Sequence, residues 1–472
     1  MENNRYKKLG RNTALMVVGN FASKVLTFVL LPLYTYCLTT SEYGISDLIT
    51  TTINLCLPFL TLTISESVLR MTLERDSDKK QIFTITAVII GLGFGVLVLT
   101  MPVWKPIVPF EEYVVYFLVY YLAMVLSNTA QQFTKGLEHV DVFVVSGIVT
   151  TFATCMWNIL LLLAFKMGIR GYLLAYILGY ATSFVYIFIK EKLWNYWISI
   201  RGIDKGVVRE MLIYCIPLVP NSISWWISDF SDRYILEYFW GAAVIGIYAI
   251  AYKLPSIISI LSTILTSAWQ ISAVEDFGSE ESREFFSDVY QKYASVYVMV
   301  CSGMVLFIKV IAKILFSGEF FEGWKYAIVL MAAVIFQALS GFLGIIYAAS
   351  KRTKTIFVTT VLGAGSNIIL NILLIPSMGA FGAALATLVS YVVVWMTRLI
   401  DSRKILPIRV HYKVDLLSYA LLFVQSAVTY CGVKYWAIIS GMLCIMIIFL
   451  NRKVILFVAD ILKSKIIKHE LK

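Results

Sequence analysis

Long apolar stretches divided by short polar ones run from one end of the chain to the other. Each is roughly 17 to 27 residues long, and at about 1.5 Å per residue such a helix crosses a hydrocarbon core of about 30 Å. About fourteen are predicted on this criterion. They cover 12–38, 45–68, 82–104, 113–133, 142–165 and 171–190, then 212–238, 243–268, 294–316, 326–349, 356–376 and 380–400, and finally the shorter 414–431 and 435–451. The pattern predicts an all-α integral membrane protein of about 14 transmembrane helices.

The chain also repeats itself. Val149, Thr150, Thr151 and Asn158-Ile159 recur at the same spacing as Val358, Thr359, Thr360 and Asn367-Ile368. "MGIRGYLLA" (167–175) then corresponds to "MGAFGAALA" (378–386), with about two residues inserted near Pro376. The fifth and sixth predicted helices therefore look like a copy of the eleventh and twelfth. An offset of six helices is even, so both copies keep one orientation in the bilayer. Parallel repeats of this kind are a transporter architecture, with the substrate site between the lobes. The expected organisation is an N-lobe of helices 1–6 (1–192), a cytoplasmic linker (193–210), a C-lobe of helices 7–12 (211–400), and two further helices with a basic cytoplasmic tail (401–472).

Composition agrees with a membrane protein: 59% of the 472 residues are hydrophobic and 15% are charged. The net charge of +11 would point to nucleic acid in a soluble protein. Here it reads as orientation. One set of alternate loops holds Arg70, Arg75, Lys79, Lys80, Lys135, Lys190, Lys192, Arg201, Lys205, Arg209, Lys351, Arg352, Lys354, Arg403, Lys404, Arg409 and Lys413. The other set has only Lys105, Lys166, Arg170, Lys325 and Lys434. This is the positive-inside asymmetry, with both termini cytoplasmic and no nucleic-acid partner. The first apolar run is too long for a cleaved signal and is expected to stay as a helix. The seven cysteines lack paired spacing and the three histidines lie far apart, so neither disulfides, a metal site nor a cofactor is expected.

Polar residues inside the apolar runs carry the functional expectation. In "NSISWWISDFSDRYILEYFW" (221–240), Ser222, Trp226, Asp229 and Arg233 fall on one helical stripe, with Asp232 beside the last two. A central charge costs about 2.5–3.5 kcal/mol against lipid, so these side chains should face a hydrated cavity or pair with one another. Lys253 is expected about halfway down the next helix. Asn20, Lys24 and Thr27 form a second stripe; Asn54, Thr61, Ser65 and Glu66 lead towards Arg70; Asn367 and Asn371 share a face. Asp232–Arg233 and Glu66–Arg70 read either as structural pairs or as cation-coupling sites, whereas the lone lysines Lys24 and Lys253 need water, a carboxylate or an anionic ligand. Lys309 and Lys313 are expected to snorkel. Tyr34, Tyr36, Trp225 and Trp226 are candidates to stack on sugar rings or to form interface belts.

Strings that resemble enzyme motifs carry little. Gly91, Gly93 and Gly95 lie inside an apolar helix, where close packing explains them better than a phosphate cradle. Asp76-Ser77-Asp78 is read as a solvated loop rather than a sugar-transferase metal motif. Residues 454–472 read as a surface-lying amphipathic helix.

Three segments carry a resemblance: "LPLYTYCLTTSEYGISDL" (31–48), "DRYIL" followed by "IGIYAIAYKLP" (232–255), and "NIILNILLIPSMGAFGAALAT" (367–387). Over roughly residues 10 to 400 the chain resembles the polysaccharide (oligosaccharidyl-lipid, O-antigen) flippases of the multidrug/oligosaccharidyl-lipid/polysaccharide (MOP) exporter superfamily. The resemblance implies two six-helix bundles alternating between inward- and outward-open states while an undecaprenyl-diphosphate-linked oligosaccharide crosses the bacterial inner membrane. It implies cavity cations such as Lys24, Arg233 and Lys253 as attractors of the diphosphate, with membrane lipids and other polysaccharide assembly proteins as partners. A count of fourteen helices also resembles the lipid II flippases. The rivals are a cation-coupled multidrug exporter of the same superfamily and, from a different class, a membrane glycosyltransferase or polymerase. The last is disfavoured because no loop is long enough for a catalytic domain, and the expected reading is a transporter rather than an enzyme.

Overall fold

The computed structural model describes residues 28–74, 76–262, 266, 282–350 and 352–456. Among these residues every regular element is helical. Eight helices are long and apolar enough to cross a membrane, or up to 11 if each of three bent pairs is one span. Two of the expected spans, 356–376 and 380–400, are the two arms of a single element broken at Gly379. The final expected span is the short helix Trp436–Leu450, and most of the first lies outside the described residues.

Two compact units are formed. The first comprises the described residues up to Gly246 together with Phe316–Gly318; the second comprises those of Ile247–Leu315 and from Glu319 onward.

In the first unit the helices are α1 (Leu31–Cys37), α2 (Thr40–Leu60), α3 (Ile64–Leu73), α4 (Lys79–Leu99), α5 (Val114–Gly136), α6 (Val140–Asn158), α7 (Gly168–Lys190), α8 (Lys205–Cys215), α9 (Leu218–Trp240) and the start of α10 (Ala242–Ala251). The motif "LTTSEYG" explains how α2 begins. Thr39 Oγ1 accepts from the Glu42 N–H at 3.2 Å, and Glu42 Oε2 accepts from the Thr39 N–H at 2.9 Å. This reciprocal cap satisfies two backbone donors that a helix start otherwise leaves open. The other Glu42 oxygen accepts from the Ile169 N–H at 3.3 Å, tying α2 to the start of α7.

Gly44, one turn further on, is needed for a different reason. A methyl group there would collide with the Ala242 carbonyl, and one on Gly246 would collide with the Thr40 carbonyl. The Tyr-Gly of the first motif and the Ile-Gly-Ile-Tyr of the second are thus the two sides of one backbone-to-backbone helix contact, which only residues without a side chain allow. Behind them Tyr34, Tyr43 and Tyr172 form a buried aromatic core, with the Tyr34 and Tyr172 ring centroids 5.0 Å apart. Tyr34 is therefore a packing residue and no platform for a sugar ring.

The repeated Met-Gly turn keeps its backbone in both copies. Gly168 has φ +54° and Gly379 has φ +55°. This positive φ is cheap only for glycine; Gly168 opens α7, and Gly379 breaks the helical geometry within α13.

In the second unit lie α11 (Ser282–Leu315), α12 (Gly323–Ala349), α13 (Thr353–Ser402), α14 (Tyr412–Cys431) and α15 (Trp436–Leu450). Buried polar contacts fasten the last two helices. Gln291 Nε2 donates to Asp415 at 2.5 Å, Ser302 Oγ donates to Gln425 at 2.6 Å, and Gln425 Nε2 donates to Ser440 Oγ at 3.1 Å. Asn451 Nδ2 donates to Ser418 Oγ at 3.1 Å. Between apolar helices in a bilayer such contacts supply the directionality that the hydrophobic effect does not. At the other end Lys309 sits between two indoles, with its ammonium 4.6 Å from the Trp324 centroid and 4.2 Å from that of Trp436. The Lys309 ammonium is thus held between two aromatic rings near the end of α11.

Candidate functional site

The stripe on α9 meets α2 of the same unit. Trp226 Nε1 donates to the Thr51 carbonyl at 2.9 Å, and the Tyr234 hydroxyl bonds Thr52 Oγ1 at 2.5 Å. Between these contacts lies Arg233, only 3% exposed. Its Nη1 donates to Asp232 Oδ1 and to the Asp229 carbonyl, each at 2.7 Å, and its Nε approaches Asp47 Oδ2 at 3.4 Å. The Phe230 ring packs 5.2 Å from the guanidinium carbon. Asp232 is 2% exposed. The opposite charges are paired, which lowers the cost of burying them. Two carboxylates, Asp47 and Asp232, stand against this guanidinium. The path from Lys205 to Trp240 bends by 50° between Ile227 and Asp229, beside this cluster.

Other expected residues fall elsewhere. Glu66 and Arg70 on α3 are both exposed and do not pair with each other; Arg70 lies over the Tyr214 ring at 4.6 Å. Asn54 is half-buried on α2. Lys253 belongs to the second unit and does not sit in mid-helix. It occupies a turn between α10 and the helix Pro255–Ser262, where the path bends by 44°. The cause is Pro255, which disfavours helical geometry in the residue before it and donates no backbone hydrogen bond. The Lys253 side chain is half-buried and makes no ion pair among the described residues. Asn367 and Asn371 share a buried face of α13, as their spacing predicts, with Asn371 Nδ2 donating to Asn367 Oδ1 at 2.8 Å. Asn20 and Lys24 lie outside the described residues.

Two features escaped the sequence reading. Asp47 stands within "SEYGISDL" in a helix start that looks like a solvated end; nothing local marks it as the partner of a residue 186 positions away. Arg398 is 4% exposed near the end of α13. Its Nε and Nη2 donate to Thr359 and Thr360 Oγ1 at 3.0 and 3.1 Å, and its Nη1 to the Ser340 carbonyl at 2.8 Å. The repeated Val-Thr-Thr in the second copy is therefore a cradle for a guanidinium. In the first copy Thr150 and Thr151 donate to the Ser146 and Gly147 carbonyls, as Thr359 and Thr360 also donate to carbonyls of their own helix while accepting from Arg398. An arginine two residues inside the end of an apolar run was the available signal. Among the described residues no group of three or more His, Cys, Asp or Glu side chains is placed to hold a metal ion.

Comparison with known proteins agrees with this architecture. The polysaccharide biosynthesis protein family matches residues 9–270, more than half of the chain. The probable low-salt glycan biosynthesis flippase Agl15 of Haloferax volcanii is 25% identical over 188 residues, which span 39% of this chain and 40% of that relative's length. Among solved structures, the lipid II flippase MurJ in an inward closed conformation superposes with a TM-score of 0.71 at 15% identity, covering 94% of this chain and 99% of that one. An inward-facing multidrug resistance MATE family transporter of the MOP superfamily gives a TM-score of 0.66 at 12% identity, over 81% and 95% of the two chains. The fold is thus that of the MurJ and MATE transporters, and this multi-pass membrane protein belongs to the polysaccharide biosynthesis protein family.

Proposed function

We propose that the protein is a flippase that moves undecaprenyl-diphosphate-linked oligosaccharide repeat units from the cytoplasmic to the outer face of the bacterial inner membrane, by alternating access, for assembly of a surface polysaccharide such as O-antigen, capsule or exopolysaccharide. The observation that carries this reading is the family match over residues 9–270 on a MurJ-like fold; the glycan flippase named among the relatives supports it. Both termini are taken as cytoplasmic from the lysine and arginine bias. The sequence repeat is our basis for taking 1–192 and 211–400 as the moving bodies, with 193–210 between them and 401–472 appended, whereas the compact units divide after Gly246. Other polysaccharide assembly proteins are the expected partners, and transport rather than bond chemistry is the expected activity.

Within this reading Lys24 and Lys253 are the attractors of the diphosphate. Arg233 holds Asp232 and Asp47, and its valence is engaged in the helix contact. Asp229, Asp232 and Glu66 are the candidates for cation coupling. Outward movement of an anionic headgroup is itself favoured by a negative-inside potential, by about 2.3 kcal/mol per charge per 100 mV.

The test is deletion of the gene followed by localisation of lipid-linked repeat units. Accumulation on the cytoplasmic leaflet with loss of surface glycan is expected; an unchanged glycan with loss of drug extrusion would favour the multidrug reading, to which the MATE-like fold gives weight.

A further inference from the structure

The first unit contains a cavity of about 580 Å³ bounded by α3, α4, α5, α7 and the start of the linker. It is separate from the charge cluster. Its wall includes Phe83, Ala130, Phe188, Trp194 and Trp197, and every lining side chain is apolar apart from two threonines. Thr86, one of these, satisfies its hydroxyl on the Ile82 carbonyl of its own helix at 2.7 Å. The volume lies in the range of about 300–1,000 Å³ usual for small-molecule sites, but the wall offers almost nothing for a polar ligand to bond. A hydrocarbon chain is the chemistry it fits.

The cavity has a built roof. The linker crosses the start of α4 and is held there: Gln81 Nε2 donates to the Gly202 carbonyl at 2.9 Å, the Asp204 N–H donates to Gln81 Oε1 at 3.1 Å, and the Ile198 N–H donates to Thr84 Oγ1 at 3.1 Å. These bonds hold Trp194 and Trp197 half over the opening, each about half exposed. Indoles in that position are typical of the membrane–water interface.

Four cations flank the lining residues in sequence. Lys80 lies one turn before Phe83, Lys190 two residues after Phe188, Lys192 directly before the lining Leu193, and Arg201 beside the carbonyl that Gln81 binds. All four are exposed and make no ion pair among the described residues. The carboxylates near them in sequence are engaged: Asp78 caps α4, Asp204 caps α8, and Glu191 binds His139 Nδ1 at 2.8 Å. Glu74 and Asp76 are exposed in the loop before α4.

From this combination we infer a binding site for an acidic glycerophospholipid, with one acyl chain in the cavity beneath Trp194 and Trp197 and the phosphate on Lys192 and Arg201. Basic pockets between helices on the face that the charge bias assigns to the cytoplasm are suited to such headgroups. Bound there, the lipid fastens the linker to the first unit. The inference does not depend on the transported substrate.

The test uses the full chain in vesicles in which a small fraction of the lipid carries a brominated acyl chain, either phosphatidylglycerol or phosphatidylcholine. Bromine quenches nearby indoles, and the difference between the natural chain and the Trp194→Phe/Trp197→Phe double variant isolates these two. Half-maximal quenching of that component is expected at a roughly tenfold lower mole fraction of the acidic lipid. Lys192→Ala/Arg201→Ala, at exposed positions, is expected to abolish the preference, and Ala87→Phe to remove the quenching by filling the cavity. Equal quenching by both lipids, a preference that survives loss of both cations, or displacement by a polyisoprenyl diphosphate more readily than by phosphatidylglycerol would each overturn the assignment. None of these readings requires transport, so its failure is distinguishable from failure of the flippase reading.

Discussion

Arg233→Ala tests whether the cluster on α2 and α9 is an ion-paired helix contact. The substitution removes two bonds of 2.7 Å and the 3.4 Å approach to Asp47, and leaves the Asp232 carboxylate in a site where its side chain is 3% exposed. Removing one partner of a buried pair costs about 3–5 kcal/mol, because the other charge is stranded. Asp47 contributes less, since its side chain is 21% exposed and the approach is longer; about 1 kcal/mol or below is expected for that arm. Asp232→Asn should cost about 1–3 kcal/mol, because Arg233 keeps the Asp229 carbonyl and Asp47. The cycle is the decisive measurement: Arg233→Met with Asp232→Leu removes both charges, so the double variant should recover much of what Arg233→Met alone loses. At about 1 °C per kcal/mol for a chain of this length, the single variant should lower the apparent melting temperature of the detergent-solubilised protein by roughly 3–5 °C. If the two single losses simply add in the double variant, the pair is not coupled and the reasoning fails.

Other consequences follow from particular contacts. Gly44→Ala or Gly246→Ala places a methyl group on a facing carbonyl, and each should cost about 1–3 kcal/mol, read as lost thermal stability; a neutral effect would mean that the two helices are not in backbone contact. Lys309→Met removes the cation between Trp324 and Trp436, worth about 0.5–2 kcal/mol, and should speed amide exchange in Trp436–Leu450 before any other helix of the second unit; uniform exchange would refute the enclosure. Lys253→Ala, at a helix break and without an ion pair, should lower surface-glycan export while the protein still inserts and accumulates, and Lys24→Ala should do the same; full export in both variants would remove the lysines from the substrate path.

What was legible in the sequence was whatever depends on local pattern. Apolar runs specified the helices because a bilayer demands about 20 residues with their backbone bonds closed internally. The Met-Gly turn was legible because one residue of positive φ leaves a glycine, and it recurs at Gly168 and Gly379 with the same φ. The Asn367–Asn371 face followed from helical spacing alone. Pairings across distance were hidden. Asp47 looks like any acidic residue near a helix start, and its relation to Arg233 exists only when α9 lies against α2. The Glu66–Arg70 spacing allowed a pair, but an exposed pair gains little, and Arg70 finds the Tyr214 ring instead. Lys253 was displaced from its expected mid-helix position by the single proline two residues on.

The chain's positive charge and its buried ion pairs have different causes. The bias in lysine and arginine sets which way the loops face, a matter of insertion, and is compatible with buried clusters of either sign. Arginine and lysine then divide the interior between them. Arg233 and Arg398 each direct several donors into a fixed set of oxygens, which a planar fork with five N–H groups does well and an ammonium on a flexible stem does not. Such guanidiniums join helices and keep little capacity for a passing phosphate. Lys253 has the opposite character: it lies at a break in the helix, half-buried, with its charge unanswered by any described carboxylate. A cation that must hold and then release an anion needs that freedom, which is why the proposed flippase reading assigns the attraction of an anionic headgroup to Lys253 rather than to Arg233 or Arg398.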